Sequence, residues 1–141
     1  MNITTKLRYK LHLEKNEILD ISLATFNDDW DLLQKFLNRR GNPPYKISGN
    51  LDMRSSKIKS FVNLILVGGW LDLYCVQIES LGSLTSVGGN LFLGYSQIKS
   101  LGNLTSVVGD LDLNNTPISK THSKEDIRNK VKVDGEIYLY R

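Results

Sequence analysis

Cysteine is nearly absent from this chain, since Cys75 is its single cysteine. One cysteine cannot close a disulfide within the chain, so a disulfide-stapled extracellular fold is disfavoured and a reducing compartment is expected. The longest apolar run, Leu64 to Val67, is far shorter than the roughly 20 residues of a membrane-spanning helix. The first residues are charged and no apolar signal core follows them. These absences predict a cytoplasmic protein that does not enter a membrane.

A strong charge of one sign is also missing. The 18 basic and 15 acidic side chains leave a formal charge of +3, which is small beside that of dedicated nucleic-acid binders, so nucleic acid is a disfavoured partner. Neither His12 nor His122 has a cysteine or a second histidine at metal-ligand spacing. The Gly-Gly pairs at 68–69 and 88–89 are not followed by the Gly-Lys-Ser/Thr of a phosphate loop. No metal site and no cofactor are therefore predicted.

What the chain does contain is a repeat of 20 residues. A Gly-x-Leu-x-Leu motif, with Met as the last residue of the first copy, begins at Gly49, Gly69, Gly89 and Gly109. Further apolar columns keep the same step: Ile58, Ile78, Ile98 and Ile118; Phe61, Leu81 and Leu101; Leu64, Leu84 and Leu104; Val67, Val87 and Val107. A shifted fifth copy begins at Gly135, after extra residues that predict a short helix N-capped by Ser123.

The repeat predicts a solenoid. Alternating leucines place two side chains on one face of a short strand, and one coil cannot bury them without its neighbours. Residues 47–141 should therefore form five parallel rungs with one buried stack, which consists of Leu51, Leu71, Leu91, Leu111 and Ile137. The recurring glycine before each strand predicts a backbone angle that a Cβ would oppose, or a close approach of successive coils.

The columns resemble the leucine-rich repeat, with Leu91, Leu93, Ser96 and Ile98 on four of its marked positions. The resemblance implies a right-handed solenoid with a parallel sheet, although serine, valine or threonine replaces the usual asparagine. More narrowly, GGNLFLGYSQIKSLGNLTSV followed by KEDIRNKVKVDGEIYL is similar to short repeat proteins encoded by tailed bacteriophages. That similarity implies a protein that acts in the host cytoplasm and engages a host factor, such as a defence component.

Residues 1–46 do not repeat and predict a hairpin followed by a helix. Apolar residues alternate with polar ones over 7–13 and again over 19–23, which is typical of two paired strands. An amphipathic helix is predicted from about Asp28 to Arg40, with Asn27 as N-cap and Gly41 ending it. The helix is expected to cap the first coil, and a docking helix is the alternative. The chain is thus mainly β with short helices, and the two parts form a single compact unit.

No catalytic constellation is predicted, so the chain is not expected to be an enzyme. Cys75 shares its column with Ser55, Tyr95 and Asn115, and a structural role for the thiol is favoured over a nucleophile. Asp52, Asp72 and Asp112 form a row between the strand leucines. Phe92 interrupts that row, so a solvated strand face is favoured over acid–base chemistry.

Aromatic residues on the outward strand positions are the candidate binding site for a protein partner. They are Trp70, Tyr74, Phe92, Tyr138 and Tyr140. Exposed aromatic rings on a rigid sheet are typical anchors of protein interfaces. The alternative is that the N-terminal hairpin covers this face and buries Trp70. A non-enzymatic protein-binding module is the leading hypothesis, and a structural or assembly component of a larger particle is the second.

Overall fold

Short parallel strands in two sheets carry the fold, as a computed structural model that describes residues 18–141 shows. The strands are β1 Leu19–Ile21, β2 Tyr45–Ile47, β3 Leu51–Asp52, β4 Leu64–Val67, β5 Leu71–Asp72, β6 Ser86–Val87, β7 Leu91–Phe92, β8 Ser106–Val107, β9 Leu111–Asp112, β10 Lys132–Val133 and β11 Ile137–Tyr138. The helices are α1 Trp30–Asn38, α2 Pro117–Thr121 and α3 Lys124–Arg128, and a 3₁₀ helix spans Leu23–Phe26. No helix among these described residues is both long and apolar enough to cross a bilayer.

The strands that begin at the repeat leucines form one five-stranded sheet, here called the leucine sheet. Its order is β11-β9-β7-β5-β3, and every pair is parallel. Leu71 pairs with Leu51 on one side and with Leu91 on the other, and all three side chains are fully buried. Ile137 continues the stack beside Leu111 despite the longer interval that precedes it. The predicted parallel rungs and their register are confirmed.

A second, six-stranded parallel sheet was not predicted, and it is here called the valine sheet. Its order is β1-β2-β4-β6-β8-β10, and it places Val67, Val87, Val107 and Val133 in register. The valines were predicted as an apolar column but not as strand residues. Each coil therefore contributes one short strand to each sheet, with a glycine at the second position of the three-residue link between them. The apolar columns fill the space enclosed by the sheets as one cluster of buried side chains.

Glycine is required where one coil follows the next. A Cβ at Gly89 would lie 2.9 Å from the backbone N of Trp70 and 3.0 Å from the carbonyl carbon of Gly69. The first glycine of the column, Gly49, has open space around it but a φ of +86°. Both predicted reasons for the glycine column are thus present, on different coils: crowding inside the stack and a left-handed backbone at its start.

The N-terminal third joins the same architecture. β1 pairs in parallel with β2, and β2 pairs with β4, so the valine sheet extends beyond the repeats. The first arm of the predicted hairpin lies outside the described residues, so the hairpin stays a prediction, while its second arm is the strand β1. The proposed boundary between residues 46 and 47 falls inside β2.

Helix α1 is shorter than predicted and has a different N-cap. Its N-cap is Asp29, whose Oδ1 accepts the backbone N–H of Leu32 at 3.1 Å. Asn27 was the predicted cap, but it adopts a left-handed conformation, with φ of 55°, and ends the 3₁₀ helix instead. Leu33 and Leu37 are buried in the core, and the ring of Trp30 meets that of Phe61 edge-on at 6.1 Å. The helix therefore packs on the first coil through an apolar face that includes Trp30, Leu33 and Leu37.

Two short helices occupy the extra residues before the fifth rung. Ser123 caps α3 as predicted, because its Oγ accepts the N–H of Asp126 at 3.0 Å. Helix α2 was not predicted. Its N-cap is Thr116, whose Oγ1 accepts the N–H of Ser119 at 3.2 Å, with Pro117 at the first helical position. The two helices take up the longer interval without disturbing the leucine register.

Candidate protein-binding surface

The outer face of the leucine sheet consists of the residues that alternate with the buried leucines. Three columns run across it, because side chains at every second residue of a strand share a face. The first column is Asn50, Trp70, Asn90, Asp110 and Glu136; the second is Asp52, Asp72, Phe92, Asp112 and Tyr138; the third is Arg54, Tyr74, Gly94, Asn114 and Tyr140. Each predicted site residue lies in one of these columns.

In the first column the side chains support the next coil. Oδ1 of Asn50 accepts the backbone N–H of Trp70 at 2.9 Å. Oδ1 of Asn90 accepts the N–H of Asp110 at 2.8 Å, and Oδ1 of Asp110 accepts that of Glu136 at 2.8 Å. We call this series the amide ladder. Trp70 interrupts it, because an indole has no oxygen with which to accept the N–H of Asn90.

In the second column, aspartate carboxylates accept backbone hydrogen bonds at the ends of their own strands. Oδ1 of Asp72 accepts the backbone N–H of Tyr74 at 2.9 Å, and Oδ1 of Asp112 accepts that of Asn114 at 2.9 Å. Such two-residue bonds hold the chain in a turn. These aspartates therefore have a structural role in addition to facing outward. Phe92 carries no acceptor at the same position, so it breaks this series as Trp70 breaks the amide ladder.

Arg54 is the cation at the edge of this face. Its Nη2 lies 2.8 Å from Oδ2 of Asp52, and its Nε lies 3.7 Å from Oδ2 of Asp72. The hydrogen bonds that the side chain and backbone N–H of Arg54 donate hold the pKa of the Asp52 carboxyl below its usual range. The guanidinium is thus already engaged by two carboxylates of the protein's own sheet.

In the third column a glycine makes room for an aromatic pair. A Cβ at Gly94 would lie 3.4 Å from Cδ2 of Tyr74, so the tyrosine ring lies across the third rung. That ring meets Tyr95 edge-on, with ring centroids 5.5 Å apart. Both rings remain open to solvent, at 44% and 53% exposure. Tyr95 was not predicted as a site residue, because it belongs to the column of Cys75 and Asn115 rather than to the outward columns.

The backbone explains why Tyr95 reaches this face. Cys75, Tyr95 and Asn115 all have a left-handed conformation, with φ of 61°, 58° and 57°. This turn follows the last backbone hydrogen bonds of each strand, such as the one that the N–H of Cys75 donates to the oxygen of Gly94 at 3.0 Å. The thiol is exposed. A recurring left-handed position shared with tyrosine and asparagine fits the structural role predicted for Cys75.

The structure brings some of the predicted site residues together and leaves others apart. Trp70 and Phe92 lie on the adjacent strands of rungs two and three, diagonal by register, and both are half-buried. Tyr74 belongs to the second rung, and its ring extends over the third rung. Tyr138 and Tyr140 are exposed on the fifth rung, with β9 between them and Phe92. We call Trp70, Tyr74, Phe92 and Tyr95 the aromatic patch.

One cavity lies away from this face, between the third coil and helices α2 and α3. Its volume is ≈160 Å³, and its apolar wall includes Leu101, Ile118 and Ile127. Of its polar groups, Lys99 is paired with Glu79 at 3.0 Å, and Nδ1 of His122 lies 2.8 Å from Oγ1 of Thr121. Across residues 18–141 no cluster of three or more His, Cys, Asp or Glu side chains is placed to hold a metal ion. His12 lies outside the described residues.

Neither family models, nor curated proteins, nor solved structures match this chain.

Proposed function

We propose that this protein is a non-enzymatic protein-binding module whose contact surface is the aromatic patch. The observation that carries the proposal is the position of Trp70. On other coils, Asn50, Asn90 and Asp110 use this position to accept a backbone N–H of the next coil. Tryptophan gives up that hydrogen bond and leaves a large ring half-buried on the surface. The exposed part of the ring contributes nothing to the packing of the solenoid, whereas it offers an interface an anchor.

The neighbours of Trp70 support the proposal. Phe92 gives up the strand-ending hydrogen bond that Asp72 and Asp112 make one rung away on either side. Tyr74 and Tyr95 add two half-exposed rings in edge contact. Aromatic rings with fixed surroundings lose little conformational freedom on binding, which is why they dominate interface energetics. The leucine sheet underneath supplies the rigid support.

The sequence resemblance to short phage-encoded repeat proteins suggests which partner to seek first. Under this proposal the protein acts in the cytoplasm of a bacterial host and its partner is a host protein, such as a defence component. A right-handed solenoid with helix α1 as its N-terminal cap is the scaffold that we propose for this role. Tyr138 and Tyr140, on the fifth rung, would then contribute to a second, smaller contact area.

The experiment that tests the proposal is affinity capture with the variant Trp70→Asn. Asparagine is the residue of the neighbouring coils at this position, so it removes the ring while restoring an acceptor for the amide ladder. We expect the wild-type chain to retain one host protein and the variant to lose it. The matched control is Val62→Ser, which removes an exposed apolar side chain, 59% accessible, outside the outer face. Retention by Trp70→Asn as strong as by wild type would contradict the proposal.

A structural or assembly role is the second candidate, and the open edge of β11 favours it. Within the described residues β11 pairs with β9 alone, so its other edge offers unpaired backbone groups to another chain. Size-exclusion chromatography over a range of protein concentrations separates the two functions. A monomer that keeps its partner supports the binding module, and concentration-dependent self-association supports the assembly role.

A further inference from the structure

We infer that the partner presents a cationic segment, carrying arginine or lysine, to the outer face of the leucine sheet. The inference rests on the proposed function and names the chemistry of the partner. It is carried by the charge of this face and by the arrangement of Tyr74, Tyr95 and Asp112 around Gly94.

The outer face is acidic although the protein is not. Its carboxylates are Asp52, Asp72, Asp110, Asp112 and Glu136, and its cation is Arg54. The whole chain has a formal charge of +3, so the acidic character is a property of this surface and not of the composition. A surface of this sign attracts basic segments and repels nucleic acid and anionic lipid. Charge complementarity therefore selects a basic partner.

The carboxylates beyond the third rung are not neutralised by the described part of the chain. Arg54 is engaged by Asp52 and Asp72. The ion pairs within 4.0 Å among residues 18–141 do not include Asp110, Asp112 or Glu136. Oδ1 of Asp110 and of Asp112 accepts a backbone N–H, which leaves Oδ2 of each free to meet an external cation. These groups can pair with a guanidinium or ammonium without losing any internal hydrogen bond.

The surroundings of Gly94 combine the two features that bind a guanidinium. A Cβ placed on Gly94 would lie 3.3 Å from Oδ2 of Asp112 and 3.4 Å from Cδ2 of Tyr74. The carboxylate of Asp112 and the ring of Tyr74 thus lie side by side over the buried Gly94, and Tyr95 extends the aromatic side. An arginine can stack on such a ring and pair with the carboxylate at once. The chain already uses this stacking, since the guanidinium of Arg40 lies 3.6 Å from the ring centroid of Phe36.

The probe for this inference is a twelve-residue peptide of alternating arginine and glycine, added to the full-length protein and followed by two-dimensional NMR. We expect the signals of Tyr74, Tyr95 and Gly94 to shift in a saturable way, and the shift to weaken as salt is raised. A peptide of alternating glutamate and glycine is the matched control and should leave these signals unchanged. Equal binding of both peptides, or shifts confined to other surfaces, would overturn the inference.

The variant Asp110→Asn/Asp112→Asn tests the carboxylates separately from the fold. Each asparagine keeps an Oδ1 that can accept the same backbone N–H, so only charge is removed. We expect the arginine peptide to bind about three- to tenfold more weakly. Asp134→Asn, in an exposed turn outside the face, should leave binding unchanged. Unchanged affinity of the double variant, at low salt, would overturn the inference.

Residues 1–17 of the chain itself are the competing occupant, because they include Arg8 and Lys10. If Arg8→Gln/Lys10→Gln shifts the signals of Tyr74 and strengthens peptide binding, the face is covered from within the chain and the inference fails. The inference and the proposed function fail differently. If Trp70→Asn loses partner capture and Asp110→Asn/Asp112→Asn keeps it, the result supports the protein-binding module and contradicts only the inference that its partner is cationic.

Discussion

Oδ1 of Asn50 accepts the backbone N–H of Trp70 at 2.9 Å, which ties the first coil to the second through a side chain. Asn90 holds Asp110 in the same way, but Trp70 cannot hold Asn90. Trp70 therefore donates its backbone N–H to the amide ladder on the side of the first coil, but its side chain cannot continue the ladder to the third coil. The first column thus has two roles, which are hydrogen bonding between coils and presentation of an aromatic ring. Substitutions at position 70 can measure the two roles independently.

The first prediction compares two substitutions of Trp70. Trp70→Asn and Trp70→Ala both remove the half-buried ring, but only asparagine supplies an oxygen to the N–H of Asn90. We expect the asparagine variant to be more stable by about 0.5–1.5 kcal/mol, the usual net contribution of one hydrogen bond. Urea unfolding followed by circular dichroism measures the difference. Equal stability of the two variants would show that position 70 cannot complete the ladder.

A second prediction concerns the crowded glycine column. Gly89→Val should destabilise the protein by about 2 kcal/mol or more, because its Cβ would press on backbone atoms of Trp70 and Gly69 at 2.9 and 3.0 Å. Gly94→Ala is the matched control, since its Cβ would meet side-chain atoms at 3.3 Å or beyond, which can give way. Thermal unfolding of both variants checks the prediction. A Gly89→Val protein as stable as the control would mean that the coils can separate at little cost.

The third prediction tests the leucine stack. Leu91 is fully buried between Leu71 and Leu111, so Leu91→Ala should cost on the order of 2–5 kcal/mol. Leu32→Ala, at a helix position that is 44% exposed, should cost much less. Chemical denaturation gives both values. A small effect at Leu91 would indicate that the third rung is loosely packed.

The fourth prediction is an alkaline loss of stability through Tyr45. Burial raises the pKa of Tyr45 to about 12, although the hydrogen bond that Gln34 donates to its oxygen at 3.1 Å acts in the opposite direction. The unfolded chain releases this proton near pH 10, so the contribution of Tyr45 is complete below that pH and is lost as pH rises through about 12. The loss should be on the order of 1–3 kcal/mol.

The comparison that isolates Tyr45 is the variant Tyr45→Phe. Its melting temperature should fall less than that of the wild type between pH 9 and about pH 11.5, because phenylalanine has no proton to release. Parallel falls in both proteins would assign the alkaline sensitivity to other groups.

The repeat pattern predicted the leucine sheet but not the valine sheet. Leu71, Leu91 and Leu111 recur with an alternating partner two residues later, and this pattern indicates a strand. Val87 and Val107 end strands of only two residues, which show no alternation. The pairing of β1 with β2 joins segments that lie far apart along the chain, and no local pattern encodes such a contact.

The candidate site was predictable in part for the same reason. Trp70 and Phe92 stood out because they depart from their columns. Tyr95 did not, because its approach to Tyr74 depends on a left-handed turn and on the missing side chain of Gly94. The amide ladder did leave a signal, namely the recurrence of asparagine or aspartate before the first leucine. That recurrence indicated an outward polar position. It did not indicate that these side chains accept a backbone N–H of the next coil, because that depends on the distance between successive coils.

The contact of each glycine with its predecessor sets the unit by which this molecule can change in length. Gly89 donates its N–H to Gly69, and Gly109 donates to Gly89, both at 3.0 Å. The contact also joins Gly135 to Gly109 at 3.0 Å, because helices α2 and α3 take up the longer interval between them. A length change that moved the glycine out of register would place a side chain in that contact, while duplicating a whole coil would preserve it. In-frame duplication of one repeat should therefore yield a folded chain whose solenoid is about 4.8 Å longer. Depending on which coil is duplicated, the aromatic patch would either be doubled or lie farther from Tyr138 and Tyr140.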